Sequence, residues 1–206
     1  RLKAGKMDFA LGSELYKYLN IFGITDFKDQ FILTNSDKSL LLPKGETANY
    51  SFAAYGLENQ PTTVNWFVNN LAGSSGASLQ KEFTETGSFE VEARGADGLA
   101  SIPFCTHVIG VDAIRVLDAE EEEILNSKET TMTLSVEPSV KVNIEVVSTY
   151  KAEWPTAFPK WEGVTVTDGK TKYEFSSTVI GDHEVKIKCG TSVKTLTITV
   201  LDPLAD

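Results

Sequence analysis

The 206-residue sequence is poor in the side chains that most enzymes and metal proteins use. It has two histidines and two cysteines, and Cys105 and Cys189 form no CxxC pair. Zinc-ligand spacing is absent, and so are the motifs that mark nucleophilic or phosphate-binding sites. We therefore expect no catalytic activity, no metal and no cofactor, and we predict that both cysteines are free thiols that pack as small hydrophobes.

Positive charge and long apolar runs are also scarce. The chain has 19 basic and 29 acidic residues, a formal net charge of −10, so the basic surface needed for nucleic-acid binding is missing. No stretch approaches the roughly 20 apolar residues of a transmembrane helix, and we expect no membrane insertion. With 41% hydrophobic and 23% charged residues, the composition is typical of a globular protein.

An internal repeat organises the chain. Five anchors recur in the same order at an offset of 94 or 95 residues: Pro43 and Pro138, Pro61-Thr62 and Pro155-Thr156, Trp66 and Trp161, Gly87 and Gly181, and Glu90-Val91 and Glu184-Val185. The repeat predicts two units, at residues 31–110 and 111–206, after an N-terminal segment at residues 1–30. The leucine spacing of that segment permits a short helix, which would pack on the first unit or dock to a partner.

Each copy alternates apolar and polar residues with a period of two. Val142, Ile144 and Val146 share one face of a predicted strand, while Leu196, Ile198 and Val200 do so in another. Alternation with β-branched residues is typical of half-buried antiparallel strands, and short strands at regular spacing indicate a sandwich. The predicted fold class is all-β.

These strands resemble bacterial immunoglobulin-like and PKD-like domains. The residues that carry the resemblance are Val64-Asn65-Trp66-Phe67-Val68, Phe83 and Gly87-Ser88-Phe89-Glu90-Val91 in the first copy, and Trp161, Tyr173, Phe175 and Gly181-Asp182-His183-Glu184-Val185 in the second. The resemblance covers residues 31–202 and implies two tandem immunoglobulin-like antiparallel β-sandwiches. Because the acidic-glycine signature of PKD domains is missing, the broader immunoglobulin-like label fits better. With one cysteine in each copy, an intra-domain disulfide is impossible.

Tyr150, Trp154 and Phe158 are the candidate binding residues. Trp154 and Phe158 have no counterpart in the first copy, and each is followed by a proline that favours an extended backbone. Such rings can stack on sugars or anchor a protein partner, but the topology of an immunoglobulin-like sandwich favours packing at the junction between the two units.

Three other features favour structural roles. The acidic run at residues 120–123 lacks the alternation of ligand and turn residues found in calcium loops, so we expect a solvated loop. His107 and His183 lie in predicted strands without a neighbouring acid or nucleophile motif, which favours packing over catalysis.

The function that these patterns favour is a non-catalytic structural or adhesive tandem immunoglobulin-like module of a larger secreted or surface-exposed protein, acting as a spacer or protein-interaction unit. Two alternatives remain, namely a phage virion or tail-like assembly protein and a carbohydrate-binding accessory domain. The expected partners are proteins or assembly neighbours, with a glycan as the alternative. The expected location is extracellular or at the cell surface, with the virion as the alternative.

Overall fold

The computed structural model describes residues 31–36, 41–55, 62–96, 100–148 and 157–204. The predicted N-terminal segment at residues 1–30 lies outside these residues. Regular structure in the described parts consists of strands: β1 Phe31–Ser36, β2 Leu41–Pro43, β3 Thr47–Tyr55, β4 Val64–Val68, β5 Leu71–Gly76, β6 Ser78–Glu82, β7 Gly87–Arg94, β8 Ser101–Ile102, β9 Phe104–Ile109, β10 Ala113–Leu117, β11 Glu123–Ser127, β12 Thr131–Val136, β13 Val142–Val147, β14 Lys160–Glu162, β15 Lys172–Phe175, β16 Gly181–Cys189 and β17 Ser192–Val200.

The predicted all-β sandwich fold is confirmed. The strands form four sheets, and the described residues include no helix. Accordingly, none of the described residues belongs to a helix long and apolar enough to cross a bilayer. Most strand pairs are antiparallel, whereas β1 with β8 and β12 with β17 run parallel.

The chain divides into two compact units that are not continuous in sequence. The first contains β1 together with Thr47–Phe83 and Ser88–His107, and the second contains Leu41–Glu46, Thr84–Gly87 and Val108–Asp206. The boundaries at residues 30 and 110 that the repeat suggests stay a prediction.

The first unit has its core between two sheets. One sheet has the order β6-β3-β1-β8, and the other has the order β2-β9-β7-β4-β5. In the second sheet, β2 and the last two residues of β9 belong to the second unit. Tyr50, Trp66 and Phe83 are almost completely buried. The hydroxyl oxygens of Tyr50 on β3 and Thr106 on β9 lie 2.6 Å apart, so a buried hydrogen bond joins the two sheets.

The second unit pairs the sheet β11-β10-β13-β15 with the sheet β12-β17-β16-β14. Its core follows the alternation of the sequence, because Leu196, Ile198 and Val200 of β17 are buried while the threonines between them are partly exposed. Burying each aliphatic side chain stabilises the fold by about 1.5–3 kcal/mol. Lys194 is the exception on this face, and its ammonium group donates to the carbonyl oxygens of Lys128 and Glu129.

The turn between β16 and β17 packs against the residues that follow β2. The amide of Thr191 donates to the carbonyl oxygen of Lys44 over 2.8 Å, and the amide of Lys44 donates to Ile109 over 2.8 Å. Gly190 has φ +59°, and a Cβ there would lie 1.9 Å from the Lys44 oxygen. Only glycine permits this approach, so the turn before β17 requires glycine at position 190.

Candidate functional site

Of the three predicted binding residues, Tyr150 and Trp154 lie outside the described residues. Phe158 is half-buried and packs against the core of the second unit, with the Lys160 Nζ atom 5.6 Å from its ring centroid. The part of the Phe158 ring that does not pack against the core is accessible to other contacts. Ligand stacking and junction packing by this loop therefore both stay predictions.

His107 lies beside two nucleophilic side chains. Its Nδ1 atom is 2.8 Å from the Ser88 hydroxyl, and its Nε2 atom is 3.7 Å from the Cys105 sulfur. The sequence shows that Cys105 is two residues from His107. The contact between Ser88 and the His107 ring could not be predicted from the sequence.

The pKa directions in this cluster oppose thiolate catalysis by Cys105. Burial lowers the pKa of His107, while burial and, to a lesser extent, the charge of Glu90 raise the pKa of Cys105. A reactive cysteine needs the reverse, a depressed thiol pKa beside a protonated imidazole. Near pH 7 this environment favours a neutral ring and a protonated thiol.

His183 takes the place of an aromatic ring in the repeat. Its ring meets Phe175 edge-on at a centroid distance of 5.4 Å, and in the first unit Phe89 meets Phe83 at 5.0 Å. Its Nε2 atom donates to the carbonyl oxygen of Val179 over 2.7 Å. The ring therefore packs and closes a loop at the same time.

The acidic run begins in the turn between β10 and β11 and ends at the first residue of β11, and its side chains are exposed. The Asp118 carboxylate accepts hydrogen bonds from the amides of Glu120 and Glu122 at 3.0 and 2.8 Å. Within the described ranges, no group of three or more histidine, cysteine, aspartate or glutamate side chains is placed to hold a metal ion.

A polar groove lies on the sheet β11-β10-β13-β15 of the second unit. Strand register places Arg115 of β10 opposite Glu145 of β13, and Glu145 opposite Lys172 of β15. The groove has a volume of about 510 Å³ and is lined by Arg115, Leu117, Glu121, Glu123, Asn143, Glu145 and Lys172.

Glu145 is the centre of this groove, with a side chain that is 8% exposed. One of its oxygens accepts from Arg115 Nε over 2.9 Å and also from Arg115 Nη2, while the other lies 2.5 Å from Lys172 Nζ. Burial, the largest single influence, raises the pKa of Glu145, but the hydrogen bonds from Lys172 and Arg115 together outweigh it and leave the pKa lowered. The same carboxylate raises the pKa of Arg115. The Glu145 carboxylate and the Arg115 guanidinium are thus charged at neutral pH.

A second groove, of about 470 Å³, lies in the first unit and is largely apolar. Trp66, Val68, Leu79 and Phe89 contribute to its lining, and Leu71 at its edge is 75% exposed. Trp66 is completely buried and donates its indole N–H to the carbonyl oxygen of Gly76, so it serves mainly as core.

No protein-family model matches the chain, and no curated protein does. Among solved structures it is similar to the fibronectin(III)-like modules of Clostridium thermocellum CbhA, with a TM-score of 0.33 and 14% identity over 82% of this chain and 94% of that one. It is also similar to the Bacteroides ovatus mixed-linkage glucan utilization locus protein SGBP-B, in complex with a mixed-linkage heptasaccharide. There the TM-score is 0.26 and the identity 15% over 81% of this chain, which spans 46% of that one. Both TM-scores are low, so these likenesses say nothing about the ligands or location of this chain.

Proposed function

We propose that this protein is a non-catalytic structural or adhesive module of a larger secreted or surface-exposed protein, and that it acts as a load-bearing spacer or protein-interaction unit. The observation that carries the proposal is the parallel pairing of β12 with β17. Six consecutive residue pairs, from Thr131↔Thr195 to Val136↔Val200, join these strands.

This pairing gives the second unit resistance to tension along the chain. When the chain before β12 and the chain after β17 are pulled apart, two parallel strands must slide past each other. Sliding breaks all ladder hydrogen bonds together, whereas peeling from one end breaks them one at a time. Forced unfolding depends on the barrier to that first rupture, so the six-pair ladder raises the force that the unit bears.

The environment of Cys105 supports the non-catalytic part of the proposal. The environments of His107 and Cys105 favour a neutral ring and a protonated thiol. Their pKa directions suit hydrogen bonding within a sheet, and they disfavour formation of a thiolate nucleophile.

Single-molecule pulling in two geometries tests the load-bearing role. Cys105 is first replaced by Ser so that it does not react with the handles. The test protein then carries attachment cysteines at two positions, Glu129→Cys and Leu201→Cys. Pulling between them shears the β12–β17 ladder. The comparison protein carries Glu129→Cys with Thr191→Cys, which places both handles at the same end of the ladder and peels it. All three attachment positions are exposed.

We expect a severalfold higher unfolding force in the first geometry, at equal stability of the two proteins in urea. Equal forces in both geometries would contradict the load-bearing role. Turnover of any defined substrate that is lost on His107→Gln would contradict the non-catalytic role.

A further inference from the structure

The cations of the polar groove have hydrogen-bonding capacity beyond the Glu145 carboxylate. Arginine has five N–H donors. Within the described residues Arg115 uses its Nε and Nη2 atoms for Glu145, and its Nη1 atom makes no hydrogen bond. The Lys172 ammonium has three donors and contacts Glu145 through one short pair, while its side chain is 71% exposed.

Glu145 holds these two cations in place rather than binding a ligand itself. Both of its oxygens are occupied, and its side chain is 8% exposed beneath Arg115 and Lys172. The two cations come from strands on either side of β13. Donors fixed in this way lose less conformational freedom when a ligand binds.

Hydrogen-bond acceptors lie beside these donors. The Glu121 and Glu123 side chains are exposed in the groove, and the half-buried amide of Asn143 both donates and accepts. Leu117 of β10 pairs with Glu123 of β11 and with Asn143 of β13, so these acceptors form the row next to the Arg115–Glu145–Lys172 row. Two residues along a strand span roughly 7 Å, which is the distance between the two rows.

The mixture of charges selects the class of ligand. Two cations (Arg115 and Lys172) stand against three carboxylates (Glu121, Glu123 and Glu145), a lining charge of 2 − 3 = −1. An anionic ligand is repelled by the exposed carboxylates of Glu121 and Glu123. A cationic ligand is repelled by the exposed cations of Arg115 and Lys172. A neutral polyol satisfies both sets, because each hydroxyl donates and accepts. We propose that the polar groove of the second unit is a binding site for a neutral saccharide chain.

The test uses the whole chain, labelled with ¹⁵N and titrated with cellohexaose, maltohexaose and, as an anionic comparison, an oligogalacturonate of the same length. Amide chemical shifts both locate the site and give Kd. The test variants are Lys172→Met, which removes one cation, and Asn143→Ala, which leaves the Arg115–Glu145–Lys172 contacts intact. The matched control is Lys188→Met, because Lys188 also pairs with one strand carboxylate, Glu162 at 2.6 Å, but lies on the other sheet.

We expect shifts at β10, β13 and β15 with at least one neutral hexasaccharide. Loss of one hydrogen bond to a charged group corresponds to about a tenfold rise in Kd for Lys172→Met, and a smaller rise for Asn143→Ala. Lys188→Met should bind as the parent does. Binding of the oligogalacturonate alone, shifts centred on Phe158, an equal effect of Lys188→Met, or no binding of either neutral chain would each overturn the proposal. The pulling experiment is independent of all of these outcomes.

Discussion

Two glycines with the same φ angle provide a test of how tightly the second unit is packed. Gly163 and Gly45 both have φ +85°, so alanine at either position carries a similar conformational cost of about 1–2 kcal/mol. Their surroundings differ. A Cβ at Gly163 would lie 2.0 Å from the backbone oxygen of Glu184, whereas a Cβ at Gly45 would meet the Thr191 side chain at 2.3 Å.

The difference between the two substitutions isolates the cost of a clash with rigid backbone. The Glu184 carbonyl belongs to β16, which is paired along its length with β17, so it cannot move without disturbing the sheet. Overpacking of this kind costs about 1–3 kcal/mol. Thr191 is exposed in the turn between β16 and β17, so its side chain can shift without disturbing a sheet. We therefore expect Gly163→Ala to lower the free energy of unfolding by about 1–3 kcal/mol more than Gly45→Ala does.

Urea unfolding followed by the NMR intensities of single amides measures this in each unit separately, as a chain of two units requires. Val185 and Ile198 report on the second unit, and Val91 is the internal reference for the first. In the double variant Gly45→Ala/Thr191→Gly, compared with Thr191→Gly alone, the side-chain contact is removed together with the Thr191 Cβ atom, so only the backbone cost should remain at that site. Equal destabilisation by Gly163→Ala and Gly45→Ala would refute the reasoning.

Three further predictions concern charge, thiols and metal ions. Because the folded-state pKa of Glu145 is lowered, its contribution is present above the unfolded value of about 4.3 and is lost as the pH falls through the folded value. Glu145→Gln should thus cost about 1–3 kcal/mol at pH 7 in urea titrations, and this cost should fall as the pH is lowered below about 4, whereas a cost independent of pH would contradict the ion pairs. A thiol reagent at pH 8 should modify Cys105 in the native protein but Cys189 only after denaturation, because Cys189 is buried and burial raises its pKa to about 12. Rapid modification of both thiols in the native protein would contradict the fold. Melting curves in excess calcium and in chelator should coincide, whereas a shift of several degrees would indicate a calcium site near the acidic run at residues 120–123.

The repeat and the alternation predict much of the fold because they encode burial directly. Trp66 and Trp161, the repeat-related tryptophans, are both buried, and each donates its indole N–H to a backbone carbonyl, at 3.2 and 2.6 Å. The parallel pairing of β12 with β17 could not be predicted in this way. Alternation shows which face of a strand is buried and carries no information about strand direction.

Charged residues in buried positions mark a second limit of sequence patterns. Lys194 follows the inward alternation of β17, yet it is charged, and it is accommodated because loop carbonyl oxygens accept from its ammonium group. Glu145 lies on the polar face of β13, as the alternation predicts, and it is nevertheless buried because Arg115 and Lys172 cover it. Polarity predicts the face of such residues, while their exposure depends on neighbours from other strands.

The polar groove shows how the hydrophobic pattern determines a polar site that the sequence does not reveal. Arg115, Glu145 and Lys172 lie on three strands, about 30 residues apart, and no motif connects them. Their meeting depends on the register of β13, in which Ile144 is completely buried. A slip of one residue would expose Ile144 and turn Glu145 into the core, which the burial energy of the isoleucine and the cost of burying a charge both oppose. The register that buries Ile144 is therefore the one that brings the two cations to Glu145, and the groove follows from the core.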